Sequence, residues 1–200
     1  FLESDGRRIF SSPMKGTARR HPAAARDREV ARWLAADAKN RAENLMIVDM
    51  VRNDLGRVCR TGSITADPLF HVDTYRTVHQ LISTVYGELR PEAGLFDIFQ
   101  AAFPPASITG APKISAMRII REQETSPRRL YTGAIGCFLP DRVFRFNVAI
   151  RTLCCTEHGV ETGIGGGVVY DSNASDEWQE ALLKKQYANC SGSDFEVFET

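Results

Sequence analysis

The order of helix-patterned and strand-patterned segments constrains the fold of this chain more than any other feature of its sequence. Apolar residues recur at helical spacing through a long segment, 27–54, and β-branched and aromatic residues then dominate 63–72 and 78–89. Helices are predicted next at 95–103 and 112–124. Helical and strand segments therefore form separate blocks, which indicates an α+β fold rather than a parallel doubly wound sheet.

The remaining strand signals lie near the two ends of the chain. Residues 1–12 predict a hairpin, because a Ser-Asp-Gly turn joins two short extended pieces. The segments 131–139, 143–155 and 159–170 predict three strands of an antiparallel meander. We therefore expect antiparallel sheets covered by helices.

A final helix is predicted over 175–190. Ser175 is its expected N-cap, and acidic residues follow in the first turn, where they favour the positive end of the helix dipole. No repeat or flexible linker divides the sequence. We treat 1–190 as one structural unit and 191–200 as a frayed tail.

Composition and charge argue against several classes of protein. The 200 residues are 43% hydrophobic, and 25 basic residues balance 25 acidic ones, so there is no basic field for nucleic acid. No apolar run approaches the length of a membrane span, and the first residues lack the pattern of a signal peptide. The five cysteines show no CxxC spacing and are expected to be reduced thiols. We expect a cytoplasmic protein that binds neither nucleic acid nor membrane.

Two glutamates are candidates for a metal site. Glu177 and Glu180 are three residues apart on the predicted last helix, so their carboxylates share a face and repel each other unless a cation lies between them. Mg²⁺ is a suitable hard cation. The alternative is a solvated face on which Lys184 pairs with Glu180. Glu43 lies on another helix and can supply a third oxygen, although the sequence alone does not bring it close.

Two segments have the character of anion sites. Gly165, Gly166 and Gly167 lie in a predicted strand, where glycine is costly unless a ligand or another backbone approaches closely. Their exposed N–H groups can bind an anion, or the run can be a bulge or a packing contact. The segment 107–113 contains Thr109 and leads into a helix, so it is either an anion site or an N-cap.

Four single residues have both a chemical and a structural interpretation. Lys15 is a surface lysine in a turn or an amine prepared for nucleophilic attack. Arg151 interrupts an apolar strand and either binds a carboxylate or lies at a sheet edge. His79 is a satisfied core histidine or an acid or base, and Tyr131 is a core residue or a ligand.

Taken together, these segments resemble the chorismate-utilising enzymes, the family of anthranilate synthase large subunits, aminodeoxychorismate synthases, and isochorismate and salicylate synthases. The resemblance extends over almost the whole chain and rests on six blocks in the order of the family: 13–17, 42–54, 78–81, 107–113, 165–169 and 176–180. It implies that the chain is the C-terminal portion of a chorismate-binding domain, a sandwich of antiparallel sheets covered by helices.

The resemblance also implies a site for chorismate, a ring with two carboxylates. One carboxylate would bind Mg²⁺ held by Glu43, Glu177 and Glu180. The other would meet Arg151, Tyr131 and the backbone N–H groups of Gly165, Gly166 and Gly167. In family members the residue taken to match His79 lies near the C4 hydroxyl, and Thr109 and Lys184 line the same pocket. Asn40 replaces an acidic residue found in some members, which lowers the charge near the metal.

Lys15 separates the branches of the family. The motif Pro13-Met14-Lys15-Gly16-Thr17 resembles that of the aminodeoxychorismate synthases, whose lysine is the proposed nucleophile. The implied reaction is amination of chorismate to 4-amino-4-deoxychorismate, toward p-aminobenzoate and folate, with ammonia from a glutamine amidotransferase subunit. The alternatives are an anthranilate, isochorismate or salicylate synthase, or a catalytically incomplete fragment that binds chorismate.

Overall fold

The computed structural model describes residues 1–157 and 159–184. The strands are β1 (Leu2–Asp5), β2 (Arg8–Ser11), β3 (Met14–Arg19), β4 (Thr65–Ala66), β5 (His71–Thr74), β6 (Val78–Ile82), β7 (Val85–Glu88), β8 (Ala134–Phe138), β9 (Val143–Val148), β10 (Cys154–Thr156) and β11 (Gly159–Glu161). The helices are α1 (Ala24–Ala36), α2 (Ala38–Gly56), α3 (Leu95–Ala102), α4 (Ala106–Thr109), α5 (Lys113–Gln123) and α6 (Ala174–Lys184), with a 3₁₀ turn at Pro140–Arg142.

The chain divides into two compact units, although the sequence predicted one. Unit 1 comprises residues 1–123 and 136–147, and unit 2 comprises 124–135 and the residues from 148 onward. The pairing of every strand pair with a determined register is antiparallel. The predicted α+β class with antiparallel sheets and helices is confirmed.

A six-stranded sheet and two helices enclose the core of unit 1. The strand order is β4-β7-β2-β1-β9-β8, and the predicted hairpin over 1–12 is its β1–β2 pair. Alternate residues of the strands face inward, as one buried sheet face requires. The buried cluster combines strand residues with residues of α2 and α3, namely Leu2, Ile9, Val85, Phe144, Val48, Leu55 and Ile98.

A smaller sheet, in the order β3-β6-β5, lies against α1 and α2. The β3–β6 register shifts between Met14 and Thr17, and Gly16 there has φ +101°, a conformation that favours glycine. A surface turn was one of the two interpretations of Lys15 and no strand was predicted here, so β3 is a strand that sequence reasoning missed. Its consequence is that Lys15 lies in a bulged strand, close to α2.

The long helix predicted over 27–54 is two helices. Asp37 interrupts it with extended ψ (118°), and its carboxylate accepts a hydrogen bond from the backbone N–H of Asn40. Aspartate is a favoured N-cap, so it begins α2 where the apolar pattern predicted continuous helix. The predictions for α3 and α5 agree with the structure to within one or two residues.

Two predicted strands are each divided. The segment 63–72 contains β4 and the start of β5, interrupted around Pro68, a residue that cannot donate a backbone hydrogen bond. The segment 78–89 contains β6 and β7, which belong to different sheets. Ser83 lies at the crossing, fully buried, and its hydroxyl takes part in side-chain hydrogen bonds rather than in a strand ladder.

The meander predicted in the last third is wrong in extent. β9 ends at Val148, and the short pair β10–β11 follows as a separate two-stranded sheet, so the glycine run is outside any strand. The last helix begins at Ala174, and the Asn173 side chain, rather than Ser175, accepts the first-turn N–H. The predictions for 185–190 and for the tail 191–200 lie outside the described residues. Within the described part of the chain, no helix has the length and apolar character needed to cross a membrane.

Candidate functional site

The predicted site residues are distributed over both units. Unit 1 contains Lys15, Glu43, His79 and Thr109, and unit 2 contains Tyr131, Arg151, Gly165, Gly166, Gly167, Glu177, Glu180 and Lys184.

Lys15 occupies the bulge of β3 and is half-buried. The next residue, Gly16, lies so close to α2 and β6 that a Cβ atom there would be 3.0 Å from Asn40 Oδ1 and 3.1 Å from Leu81 Cβ. Thr17 Oγ1 then donates to Gln80 Oε1 on β6 at 3.2 Å. The residues that follow Lys15 are therefore held by contacts to α2 and β6, unlike those after a lysine in a mobile surface turn.

A buried amide supports the start of the same strand. Asn44 is 0% exposed, and its Oδ1 accepts from Ser83 Oγ at 2.6 Å while its Nδ2 faces the carbonyls of Pro13 and Leu81 at 3.5 and 3.3 Å. Sequence reasoning did not select Asn44. The available signal was a polar residue on the apolar face of α2, at helical spacing from Val48.

His79 is only 2% exposed, and both of its ring nitrogens have partners. Nε2 lies 3.0 Å from Asp27 Oδ1 and Nδ1 lies 3.0 Å from Thr74 Oγ1. Because a carboxylate only accepts, Nε2 carries the hydrogen of that bond. This environment agrees with a satisfied core histidine, and a catalytic role of His79 stays a prediction from the family resemblance.

Asp27 is the centre of this buried cluster. Besides His79, it accepts from Arg20 Nε at 2.9 Å and from the backbone N–H of His21 at 2.8 Å. These donors, Arg20 first, hold the pKa of Asp27 well below its usual range, although burial opposes them. The cluster joins α1 to β3 and β6 of the smaller sheet.

The segment 107–113 contains a cation at its end. Thr109, half-buried at the end of α4, donates through Oγ1 to Pro105 O at 3.3 Å. Lys113 Nζ lies 2.6 Å from Asp54 Oδ2, and both side chains are largely buried. Burial raises the pKa of Asp54 in spite of Lys113. The contacts favour a structural role for the end of this segment.

In unit 2, the glycine run lies against Tyr131 and Glu177. A Cβ atom at Gly163 would overlap the Tyr131 ring, one at Gly165 would be 2.8 Å from Tyr131 Oη, and one at Gly166 would be 2.9 Å from Glu177 Oε2. Close packing therefore accounts for Gly163, as the packing alternative anticipated, whereas Gly165 and Gly166 meet only the ends of side chains. Anion binding by Gly165, Gly166 and Gly167 stays a prediction.

The carboxylates of α6 have protein partners. Glu177 Oε1 accepts from Ser172 Oγ at 2.6 Å. Glu180 Oε1 pairs with Lys184 Nζ at 2.7 Å, and Lys184 also donates to Gly165 O at 3.2 Å. The ion pair that the sequence offered as the alternative to a metal is therefore present.

The carboxylate oxygens of Glu43, Glu177 and Glu180 are suitable ligands for Mg²⁺. Whether the three carboxylates meet at one metal ion is a separate question. Among residues 1–157 and 159–184, no group of three or more His, Cys, Asp or Glu side chains could hold a metal ion. Glu43 belongs to unit 1, whereas Glu177 and Glu180 belong to unit 2. The set Glu43, Glu177 and Glu180 thus stays a prediction from the family resemblance.

The strand predicted for Arg151 is wrong. β9 ends at Val148, and Arg151 is exposed in the connection to β10 with φ +49°. The apolar run that suggested a strand continues to Ile150, but the positive φ at Arg151 ends the extended backbone. Binding of a carboxylate by Arg151 stays a prediction, and no strand positions its side chain.

Comparison with known proteins identifies the family. The sequence pattern described as chorismate binding enzyme matches residues 1–188, so this chain belongs to that family. The chain is 48% identical over 176 residues to aminodeoxychorismate synthase of Streptomyces pristinaespiralis, covering 88% of this chain and 24% of that protein. It is 42% identical over 184 residues to aminodeoxychorismate synthase component 1 of Escherichia coli K12, covering 92% and 41%.

The structure is similar to anthranilate synthase component I from Streptococcus pneumoniae TIGR4, with a TM-score of 0.83 and 35% identity. The match covers 93% of this chain and 41% of that one. The chain thus spans less than half the length of these relatives. The resemblance inferred from the sequence blocks is confirmed, and the chain is similar to aminodeoxychorismate synthases.

Proposed function

We propose that this chain contributes the catalytic portion of an aminodeoxychorismate synthase, which replaces the C4 hydroxyl of chorismate with an amino group. The observation that carries the proposal is Lys15 in the β3 bulge, with its backbone fixed by contacts of Gly16 and Thr17. High identity to two proteins named as aminodeoxychorismate synthases supports the branch.

In the proposed reaction, the Lys15 amine forms a bond to C2 of the ring while the C4 hydroxyl leaves as water with the proton that the lysine nitrogen gives up. Ammonia then forms a bond to C4 as the C2–N bond to Lys15 breaks, and the proton lost by the added ammonia goes to the lysine nitrogen, which leaves as a neutral amine. The lysine is thus regenerated, and 4-amino-4-deoxychorismate is released. A glutamine amidotransferase partner would supply the ammonia, as expected from relatives named component 1.

The other site residues have binding roles in this proposal. Tyr131, Arg151 and the N–H groups of Gly165 to Gly167 would bind one carboxylate, while Thr109 and Lys184 would line the pocket. Glu43, Glu177 and Glu180 would hold Mg²⁺, whose chemistry is withdrawal of electron density from the ring so that the hydroxyl leaves more readily. When the substrate binds, Lys184 would give up its ion pair with Glu180 and contact the substrate instead.

The test is product analysis with the full natural polypeptide that contains this chain, supplied with chorismate, Mg²⁺ and ammonia. We expect 4-amino-4-deoxychorismate, and we expect Lys15→Ala to lose at least about 100-fold in turnover, since nucleophile loss removes a covalent step. Unchanged turnover of Lys15→Ala would refute the lysine mechanism. A matched control is Lys39→Ala, an exposed lysine on α2.

Anthranilate synthase is the second candidate, because the chain is also 40% identical over 185 residues to anthranilate synthase component 1 of Streptomyces coelicolor. Anthranilate as the product would establish it. A third outcome is a fragment that binds chorismate without turnover. It would be recognised if the 200-residue chain binds chorismate while only a longer polypeptide is active.

A further inference from the structure

The side chain of Asn44 is buried, although helix α2 does not need a polar residue at this position. Its side chain is 0% exposed, on a helix whose buried residues include the apolar Ile47 and Val48. Burying an amide costs free energy unless its donors and acceptor are satisfied. Here Oδ1 accepts from Ser83 Oγ at 2.6 Å, and Nδ2 faces Leu81 O at 3.3 Å and Pro13 O at 3.5 Å. A leucine would fill the same space without needing partners.

The partners of Asn44 lie where β3 begins. Pro13 immediately precedes β3, and its carbonyl also accepts from the backbone N–H of Ser83 at 3.1 Å. Leu81 belongs to β6, the strand that pairs with β3. Asn44 therefore connects a helix to both strands at a point two residues before Lys15.

One helical turn earlier on the same face of α2, Asn40 limits the segment farther along the strand. The backbone of Gly16 fits between Asn40 and Leu81 so closely that a Cβ atom would come within 3.0 to 3.1 Å of both. Residues 13 and 16 are thus located by two amides at i and i+4 on α2. Both amides are neutral, so they fix the backbone without adding a negative charge that would stabilise an ammonium.

We propose that Asn44 is a positioning residue for Lys15: its amide sets the place of the β3 backbone from which the reactive amine extends. This inference rests on the proposed function, because it gives Lys15 the role of nucleophile. A small displacement of the reacting atom lowers the chemical rate strongly, whereas it changes the binding of substrate groups elsewhere very little. The signature is a loss in kcat with an almost unchanged KM for chorismate.

The experiment uses the full natural polypeptide with chorismate and saturating ammonia. Asn44→Ala and the apolar Asn44→Leu, which is close in size, both remove the contacts to Pro13 and Leu81. We expect kcat to fall about 10- to 100-fold with KM changed less than about 3-fold. The matched control is Ser83→Ala, which disrupts the same buried network but leaves both carbonyl contacts of Asn44. Its kcat should fall less than about 3-fold.

A double-mutant cycle separates positioning from a general effect of instability. In the Lys15→Ala background, the residual turnover should be insensitive to Asn44→Ala, because the amine that Asn44 positions is gone. Three results would overturn the inference. They are equal losses of kcat on Asn44→Ala in both backgrounds, equal losses of kcat for Ser83→Ala and Asn44→Ala, and failure of both Asn44 variants to fold. If Lys15→Ala itself retains full turnover, the proposed lysine mechanism has failed. If only Lys15→Ala is impaired, the mechanism stands and the role of Asn44 has failed.

Discussion

Two ion pairs, one in each compact unit, differ in how far they are buried. In unit 1, Lys113 and Asp54 form an ion pair with side chains only 17% and 8% exposed. In unit 2, Lys184 and Glu180 form a pair of similar length, but their side chains are 37% and 55% exposed. The first pair lacks the solvation that weakens the second, so similar geometry should have different energetic consequences.

Burial therefore separates the two pairs. The candidate nucleophile, Lys15, lies in unit 1, where Asn44 and Ser83 form a buried hydrogen bond. The candidate ligands Glu177, Glu180 and Lys184 lie in unit 2 and have hydrogen-bond or ion-pair partners within the chain. Four predictions test this contrast.

The largest effect is expected at Lys113. Lys113→Met leaves the Asp54 carboxylate buried without its cation, so the free energy of unfolding should fall by about 3 kcal/mol. Urea denaturation at neutral pH measures the change, with Lys113→Arg as the variant that keeps the charge. A loss no greater than that of Lys184→Met would show that burial does not separate the two pairs.

The next effect is a pH dependence at Asp27. Its pKa is lowered in the folded protein, chiefly by Arg20, so its contribution is complete above the unfolded value near about 4 and is lost as the pH falls below it. Asp27→Asn should therefore be less stable than the parent at neutral pH, with a smaller further loss on acidification. Urea midpoints across the acid range measure this.

The control for Asp27 is Asp49→Asn, which removes a solvent-exposed partner of Arg52. The parent and the Asp49 variant should lose stability in parallel on acidification. If the Asp27 variant follows the same course, the buried cluster does not contribute to the pH dependence.

A smaller effect is expected at the glycine run. Gly163→Ala places a methyl group in the Tyr131 ring, so the free energy of unfolding should fall by about 1 to 2 kcal/mol. Gly167→Ala is the matched control, because nothing lies within 4 Å of a Cβ atom there. Equal stabilities of the two variants would refute the packing interpretation and leave ligand approach as the reason for the glycines.

The smallest effect is expected at Lys184. Lys184→Met removes an exposed i,i+4 pair, which contributes about 0.5 kcal/mol or less. Chorismate binding by the same variant, measured by isothermal titration calorimetry, should nevertheless weaken if Lys184 lines the pocket. Unchanged binding would remove Lys184 from the proposed site.

Local pattern was sufficient to predict the fold class, the hairpin over 1–12, and the helices α3 and α5. It failed where long-range contacts decide. The apolar pattern continues across Asp37, so only the capping hydrogen bond to Asn40 reveals the break. The run through Ser83 has strand composition throughout, but which sheet each half joins depends on pairing partners distant in sequence.

The candidate site also combines features that local sequence patterns predict with features that depend on long-range contacts. Motifs allowed the family and the candidate residues to be inferred, and the comparisons confirm the family. The partners of His79 could not be inferred, because Asp27 lies 52 residues away and the contact depends on how α1 packs against β6. Asn44 was missed because its neighbour Glu43 offered more evident chemistry, although a buried amide on an apolar face has no simple packing reason.

The short connection from β6 in the smaller sheet to β7 in the larger sheet limits how the chain tolerates insertions. Only Ser83 and Thr84 separate β6 from β7. A register slip of one residue in β6 or β7 would move the inward side chains of that strand to the opposite face of its own sheet, since side chains alternate between faces. A single inserted residue would let the register of one strand shift independently of the other. We therefore expect natural variants to keep the length of this two-residue connection.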